Sequence, residues 1–178
     1  MSEIEISPEV KLNEEEVRAI CQAIQEGLTP AQAAGTDPKQ LEALYSLGHG
    51  FFTSGQYQEA QTIFQALCLY DYRDERFWMG LGASLQAQNR LAVASEVYGM
   101  AALTSSLGNP VPLYYAALCQ LKDGDLESAE ATLSSIKFIG SPEDPQHAAI
   151  YAKADNLLEI VRERLSEANQ GAPKETEK

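Results

Sequence analysis

Two histidines and three cysteines are the side chains of this chain best suited to chemistry, but their spacing does not form a reactive site. Neither His49 nor His147 has an acid, histidine or cysteine four residues further on, as a metal site or catalytic dyad on one helix face would need. Cys21, Cys68 and Cys119 form no CxxC pair, which disfavours a zinc or redox motif. Each cysteine falls in a predicted apolar helical stripe, so we expect all three to be buried free thiols in a reducing compartment.

A glycine-rich stretch, GLGAS at residues 80–84, is the other candidate for chemistry. A phosphate-binding loop would follow a strand and end in Lys-Ser or Lys-Thr. This stretch has neither feature and falls in the middle of a predicted helix. We therefore predict no catalytic residues, no metal, no cofactor and no enzymatic activity.

What remains is a row of mostly apolar and aromatic positions, spaced three, four and seven residues apart on three predicted helices. The predicted groove residues are Tyr45, His49, Phe52, Met79, Ala83, Gln86, Tyr114, Leu118 and Leu121. A face open to water should be polar, so this composition predicts a surface that binds a peptide. We expect its side chains to be exposed in the free protein. An alternative is that the N-terminal or C-terminal helix of the chain fills the groove.

These positions are set by a pattern that returns every 34 residues and then a third time after one inserted residue. A 34-residue period is typical of tetratricopeptide repeats, which are stacked helix–turn–helix units. Small residues stand where paired helices would cross, namely Gly48, Gly82, Ala117, Ala60, Ala94 and Ala129. We expect alanine, but not leucine, to be tolerated at Gly82. Gly55, Asn89 and Gly124 fall where each first helix must end, as left-handed caps.

The predicted fold is all-α, with three tandem tetratricopeptide helix pairs, an N-terminal amphipathic helix and a C-terminal capping helix. The predicted pairs are 39–54 with 57–70, 75–88 with 91–105, and 111–122 with 126–138, in repeats at about 41–74, 75–108 and 110–142. Together, residues 13–168 form one domain between a flexible N-terminus (1–12) and a disordered tail (169–178). The C-terminal helix is predicted at about 146–167, with His147 as the first residue of its apolar stripe.

The N-terminal helix is predicted over residues 14–27, with Asn13 as its cap. Its apolar stripe is larger than one repeat edge needs, so we predict that it forms a homodimer interface. The stripe consists of Val17, Ile20, Cys21 and Ile24.

Charge and hydropathy restrict the partners. The net charge of −13 is spread along the chain, which disfavours nucleic acid and anionic membrane, because both bind basic patches. No stretch approaches 18 consecutive apolar residues, and the acidic N-terminus is unlike a secretion signal. We therefore expect a protein of the cytoplasm that binds other proteins.

The stretch from residue 41 to residue 83, LEALYSLGHGFFTSGQYQEAQTIFQALCLYDYRDERFWMGLGA, and residues 116–130, AALCQLKDGDLESAE, resemble a known family. They are similar to the tetratricopeptide-type, or class II, translocator chaperones of bacterial type III secretion systems. The resemblance implies a cytoplasmic chaperone that binds hydrophobic, pore-forming translocators before export and holds an extended client segment in its concave groove. It also implies homodimerisation through N-terminal segments, and some members of the family assist a transcription factor.

By the same resemblance, Tyr45 and Phe52 match groove aromatics of the first repeat, and Tyr98 matches a second-repeat aromatic linked to client binding. Phe52 stands where related chains often have tyrosine. The alternative function is a tetratricopeptide scaffold or co-chaperone, in particular one that clamps an acidic C-terminal peptide. Such a clamp needs Lys, Arg and Asn in the groove, and the residues predicted there do not provide them.

Overall fold

Local capping chemistry sets the start and end of the helices in this computed structural model, which describes residues 14–141 and 143–171. At the start of the first predicted pair, Asp37 accepts a hydrogen bond from the Lys39 backbone N–H at 2.9 Å, and Pro38 follows it. A residue with positive φ follows the first helix of each pair, one or two residues after the helix ends. These residues are Gly55 (79°), Asn89 (61°) and Gly124 (89°), so all three predicted caps are confirmed.

The described residues contain nine helices and no strand. Their bounds are α1 Glu14–Gln25, α2 Pro30–Ala33, α3 Pro38–Thr53, α4 Tyr57–Tyr70, α5 Glu75–Ala87, α6 Leu91–Thr104, α7 Val111–Asp123, α8 Leu126–Ile136 and α9 Ala148–Gly171. None of the described helices combines the length and apolar character that crossing a membrane requires. The predicted flexible segment 1–12, the Asn13 cap and residues 172–178 of the predicted tail lie outside the described residues.

Helices α3 to α8 form the three predicted pairs, and each helix packs on the next one along the chain. The core lies between first and second helices, where Ala60 and Ala94 are fully buried and allow the backbones to approach closely. Gly82 is buried at such a crossing. A Cβ atom there would lie 2.8 Å from the Tyr98 ring, so the expectation that alanine is tolerated at this position is wrong.

Helix α9 covers the open end of the third pair. It buries Ala154 and Val161 in a cluster with Leu133 and Ile136 of α8. The helix begins at Ala148, two residues later than predicted, because Asp144 to His147 form a turn in which the Asp144 carboxylate accepts the Gln146 N–H. It continues to Gly171, past the predicted end at 167 and into the first residues of the predicted tail.

Helix α1 buries none of its residues and packs mainly on the short helix α2, which the sequence pattern did not predict. A capping box between Thr29 and Gln32 starts α2. The Arg73 guanidinium donates a hydrogen bond to the Gly27 carbonyl, which ties the end of α1 to the α4–α5 turn. Cys21 is exposed, so the prediction of three buried thiols is wrong at this position and right at Cys68 and Cys119.

Candidate peptide-binding groove

The first helices of the three pairs enclose an open cavity of about 860 Å³ on the concave side of the stack. Second helices contribute only its floor, through Phe64 and Tyr98. The other lining residues are Tyr45, His49, Phe52, Glu75, Arg76, Met79, Gly80, Ala83, Gln86, Ala87, Asn109, Tyr115 and Lys122. Seven of the ten predicted groove residues therefore line one cavity, and Tyr114, Leu118 and Leu121 do not.

Aromatic rings from α3 form one wall of the groove. The Tyr45 ring centroid lies 5.9 Å from that of Phe64 and 6.0 Å from that of Phe77, and the Arg76 guanidinium lies 4.9 Å from the Tyr45 centroid. Phe52 packs in the same way on Tyr57, at 5.5 Å. The sequence pattern predicted that both wall rings are exposed, and this is wrong: Tyr45 and Phe52 are half-buried. They are held in position before any ligand arrives, and they also stabilise the fold.

The depth of the groove depends on Gly80. A Cβ atom at this position would lie 2.5 Å from the Phe64 ring, so no side chain fits between α5 and that ring. Because Gly80 has no side chain, α5 packs directly against the edge of the Phe64 ring, which is 2% exposed and lies at the floor of the groove. Gly80 and Gly82, the two glycines of the GLGAS stretch, thus serve packing against α4 and α6. The repeat pattern identified Gly82 as a position of close helix packing. It did not identify Gly80, which lies two residues earlier on the same helix.

Tyr98 forms the floor beside α7. Its side chain is only 2% exposed, its hydroxyl donates to Gln86 Oε1 at 2.8 Å, and its ring stacks on Tyr115 with centroids 5.6 Å apart. Burial raises the pKa of the Tyr98 hydroxyl, which keeps it a neutral donor. Tyr98 therefore supports the groove from below as a core residue, and little of its surface is open to a ligand.

The third pair presents a different face from the predicted one. Tyr114 and Leu121 pack on the cluster that α9 forms with α8, and Leu118 is half-buried away from the cavity. Tyr115 and Lys122 line the cavity instead. Helix α9 covers the side of α7 that bears Tyr114 and Leu121. The adjacent side of α7, which bears Tyr115 and Lys122, therefore faces the groove. The repeat pattern contains no information about α9.

Charged groups line the rims of the groove. Arg76 contacts Asp74 at 2.7 Å and Glu42 at 3.2 Å, so two carboxylates neutralise it. Glu75 accepts a hydrogen bond from the Asn109 amide; burial raises the pKa of the Glu75 carboxyl, and this hydrogen bond opposes the rise. Lys122 forms no ion pair with any residue that the structure describes.

The cysteine, histidine and acidic side chains of the described residues are the groups best suited to chemistry. In the described part of the chain, no group of three or more His, Cys, Asp or Glu side chains is placed to hold a metal ion. Burial raises the pKa of Cys68 to about 12 and that of Cys119 to about 11, so both thiols stay protonated near neutral pH. His49 lies exposed in the groove beside apolar neighbours.

Comparison with known proteins agrees with this architecture. Residues 41–74 match the tetratricopeptide repeat family. The chain is 34% identical over 122 residues to the low calcium response locus protein H of Yersinia pseudotuberculosis, covering 68% of this chain and 71% of that protein. The type III secretion translocator chaperone SycD of Yersinia enterocolitica superposes with a TM-score of 0.67 at 32% identity, covering 75% of this chain and 98% of SycD.

A second solved structure contains a ligand. PcrH, crystallised in complex with the chaperone-binding region of PopD, superposes with a TM-score of 0.67 at 37% identity, over 73% of this chain and 96% of PcrH. The fold, the length of chain matched and the level of identity all agree with the resemblance seen in residues 41–83. The chain therefore belongs to the tetratricopeptide-type translocator chaperones of bacterial type III secretion systems.

Proposed function

We propose that this chain is a chaperone of the bacterial cytoplasm that holds an extended segment of a hydrophobic translocator protein in its groove before export. The observation that carries the proposal is the aromatic cavity on the concave side, with Tyr45, Phe52 and Met79 on its walls. The PcrH–PopD complex supports it, because a relative of the same fold binds a translocator region. Shielding of apolar client residues in this cavity would prevent their aggregation.

The size of the groove limits what it can hold. Three first helices about 9–10 Å apart make a channel about 25 Å long. An extended chain rises about 3.3 Å per residue, so roughly seven or eight client residues fit. Three buried anchors at about 1.5–3 kcal/mol each, less about 2–5 kcal/mol for ordering the segment, correspond to micromolar or weaker binding. A stable complex with a whole translocator would need a second contact area.

The alternative of a clamp for an acidic C-terminal peptide requires several free basic groups. The groove contains more polar groups than the sequence pattern predicted, namely Arg76, Asn109 and Lys122. However, Arg76 already contacts Asp74 and Glu42, and Asn109 already contacts Glu75. Lys122 alone cannot form the multiple charge-assisted bonds that hold a terminal carboxylate in a clamp. The geometry therefore favours a segment bound mainly through apolar side chains.

A binding assay tests the proposal directly. A fluorescein-labelled peptide of the PopD chaperone-binding region is titrated with the full chain, and anisotropy gives its Kd. We expect the double variant Tyr45→Ala/Phe52→Ala to bind at least tenfold more weakly, because buried aromatic anchors are commonly worth about 2 kcal/mol or more. Leu69→Ala is the matched control, since Leu69 is 75% exposed and lies outside the groove.

Both variants must be folded for the assay to be informative. Because Tyr45 and Phe52 are half-buried, we expect the double variant to melt at a lower temperature than the parent, and binding is measured well below that midpoint. Full affinity in the folded double variant would place the client elsewhere on the molecule. Equal loss of affinity in Leu69→Ala would show that the assay reports general apolar adhesion.

A further inference from the structure

Lys122 is the feature of the groove that its apolar character does not explain. It lies in the last turn of α7 and lines the cavity together with Gln86, Ala87 and Tyr115. Its ammonium group has no carboxylate partner among the described residues, whereas Arg76 has two. A cation placed in a ligand-binding cavity without an internal partner is available to a partner from the ligand.

The charges elsewhere in the molecule make the unpaired Lys122 ammonium group important for an acidic ligand. The chain carries a net charge of −13, so an acidic ligand is repelled at long range and needs a local positive group to bind. The Glu75 carboxylate lines the same cavity and would repel a ligand acid near it. Neutralisation of Arg76 by Asp74 and Glu42 leaves that part of the groove without a free cation.

The two charges lie at opposite rims of the groove. Glu75 is the first residue of α5, and Lys122 is in the last turn of α7. Successive antiparallel helices make α5 and α7 run in the same direction, so the start of one and the end of the other are about 20 Å apart along the helix axis. A ligand carboxylate is therefore favoured at one rim and disfavoured at the other.

We propose that Lys122 selects client segments that carry an Asp or Glu side chain at the end lying against the last turn of α7. This inference rests on the proposed function and adds a specificity determinant to it. The aromatic wall supplies the affinity for apolar anchors, and the ion pair with Lys122 sets the direction and register in which the segment lies. An apolar groove alone would accept such a segment in either direction.

A helix-stabilising role is the competing explanation for Lys122, because a cation in the last turn interacts favourably with the helix dipole. That role would change the melting temperature and leave ligand selection untouched. Lys122→Gln removes the charge, Lys122→Glu reverses it and Lys122→Arg retains it. Lys153→Gln is the matched control, since Lys153 is exposed on α9 and lies outside the cavity.

The experiment is a glutamate scan of the PopD chaperone-binding peptide, in which each position in turn becomes Glu and Kd is measured by anisotropy. We expect Glu at one end of the bound segment to tighten binding to the parent about threefold at low salt, the scale of a partly exposed ion pair. The gain should vanish in Lys122→Gln, become a loss in Lys122→Glu, and persist in Lys122→Arg and Lys153→Gln. It should also shrink at 1 M salt, where screening is strong.

The outcomes separate two kinds of failure. If the peptide binds and no Glu position distinguishes the parent from Lys122→Gln, the selection by Lys122 is refuted while the groove function stands. Equal effects of Lys153→Gln and Lys122→Gln would refute it as well, because the response would then follow net charge. If no form of the peptide binds the parent, the proposed function itself fails, and this inference fails with it.

Discussion

Helices α1 and α9 flank the same stack of helix pairs, and both have an apolar stripe at helical spacing, yet their surroundings differ. Helix α9 buries Ala154 and Val161 and packs on α8 and α7. Helix α1 buries nothing, and Val17 and Ile24 are 44% and 41% exposed. An amphipathic pattern thus identifies a face that needs a partner, but it does not say whether that partner lies in the same chain.

The first way to test this contrast is to place a charge on each stripe. Val161→Asp puts an unpaired carboxylate in a fully buried position, so we expect the free energy of unfolding to fall by more than about 3 kcal/mol. Val17→Asp should change it by less than about 0.5 kcal/mol in dilute solution, where self-association does not contribute. Urea titrations followed by circular dichroism measure both; comparable losses would mean that α1 is packed after all.

A second test asks whether another copy of the chain covers α1, as we propose. The double variant Val17→Asp/Ile24→Asp should halve the particle mass from two chains to one, because charged side chains prevent burial of the stripe. Light scattering at several concentrations measures the mass. Ile160→Asp on α9 is the matched control, since Ile160 is also about half-exposed at 48%. A parent with the mass of one chain at every concentration would contradict the proposed interface.

A third, smaller effect concerns the cysteines. Cys21 on α1 is exposed, whereas Cys68 and Cys119 are buried with pKa values raised to about 12 and about 11. Because the thiolate is the reactive form, we expect a thiol reagent at pH 8 to modify one cysteine per native chain and all three in denaturant. Mass spectrometry identifies the modified residue. Labelling of Cys21 should slow as protein concentration rises if α1 becomes an interface, and rapid native labelling of Cys68 would contradict its burial.

The smallest expected effect lies at the C-terminus. Removal of residues 172–178, APKETEK, should change the free energy of unfolding by less than about 0.5 kcal/mol, because this sequence has no large apolar side chain. A shortened chain ending at Gly171 keeps all of α9 as described. Thermal melts of the two chains measure the difference. A drop of several degrees would show that residues beyond α9 also contact the stack.

Much of the architecture was predictable because the repeat fixes backbone chemistry at recurring positions. Asn89 illustrates this: it occupies the position of Gly55 in the next repeat and adopts the same left-handed conformation. The groove residues of α3 and α5 were predictable for the same reason. Their neighbours in the stack are other repeats, which obey the same pattern.

Predictions failed where a residue's surroundings come from outside the repeat. The third-repeat positions Tyr114 and Leu121 follow the pattern, but α9 covers them, and Tyr115 takes the place in the groove. Cys21 is exposed on α1, a helix that buries none of its residues in the described part of the chain. At Gly80, the deciding fact is the distance to one ring on another helix, which helical periodicity does not specify.

The single tryptophan of the chain, Trp78, provides a fluorescence signal from the place where α1 is attached to the α4–α5 turn. Its indole N–H donates to the Tyr72 carbonyl at 2.8 Å, in the turn whose Arg73 holds the end of α1. Trp78 precedes Met79 of the groove wall in the chain. Intrinsic tryptophan fluorescence therefore reports on the contact between α1 and the α4–α5 turn, beside the groove wall, without an added label. A shift in that emission on peptide binding would show that the two regions respond to each other.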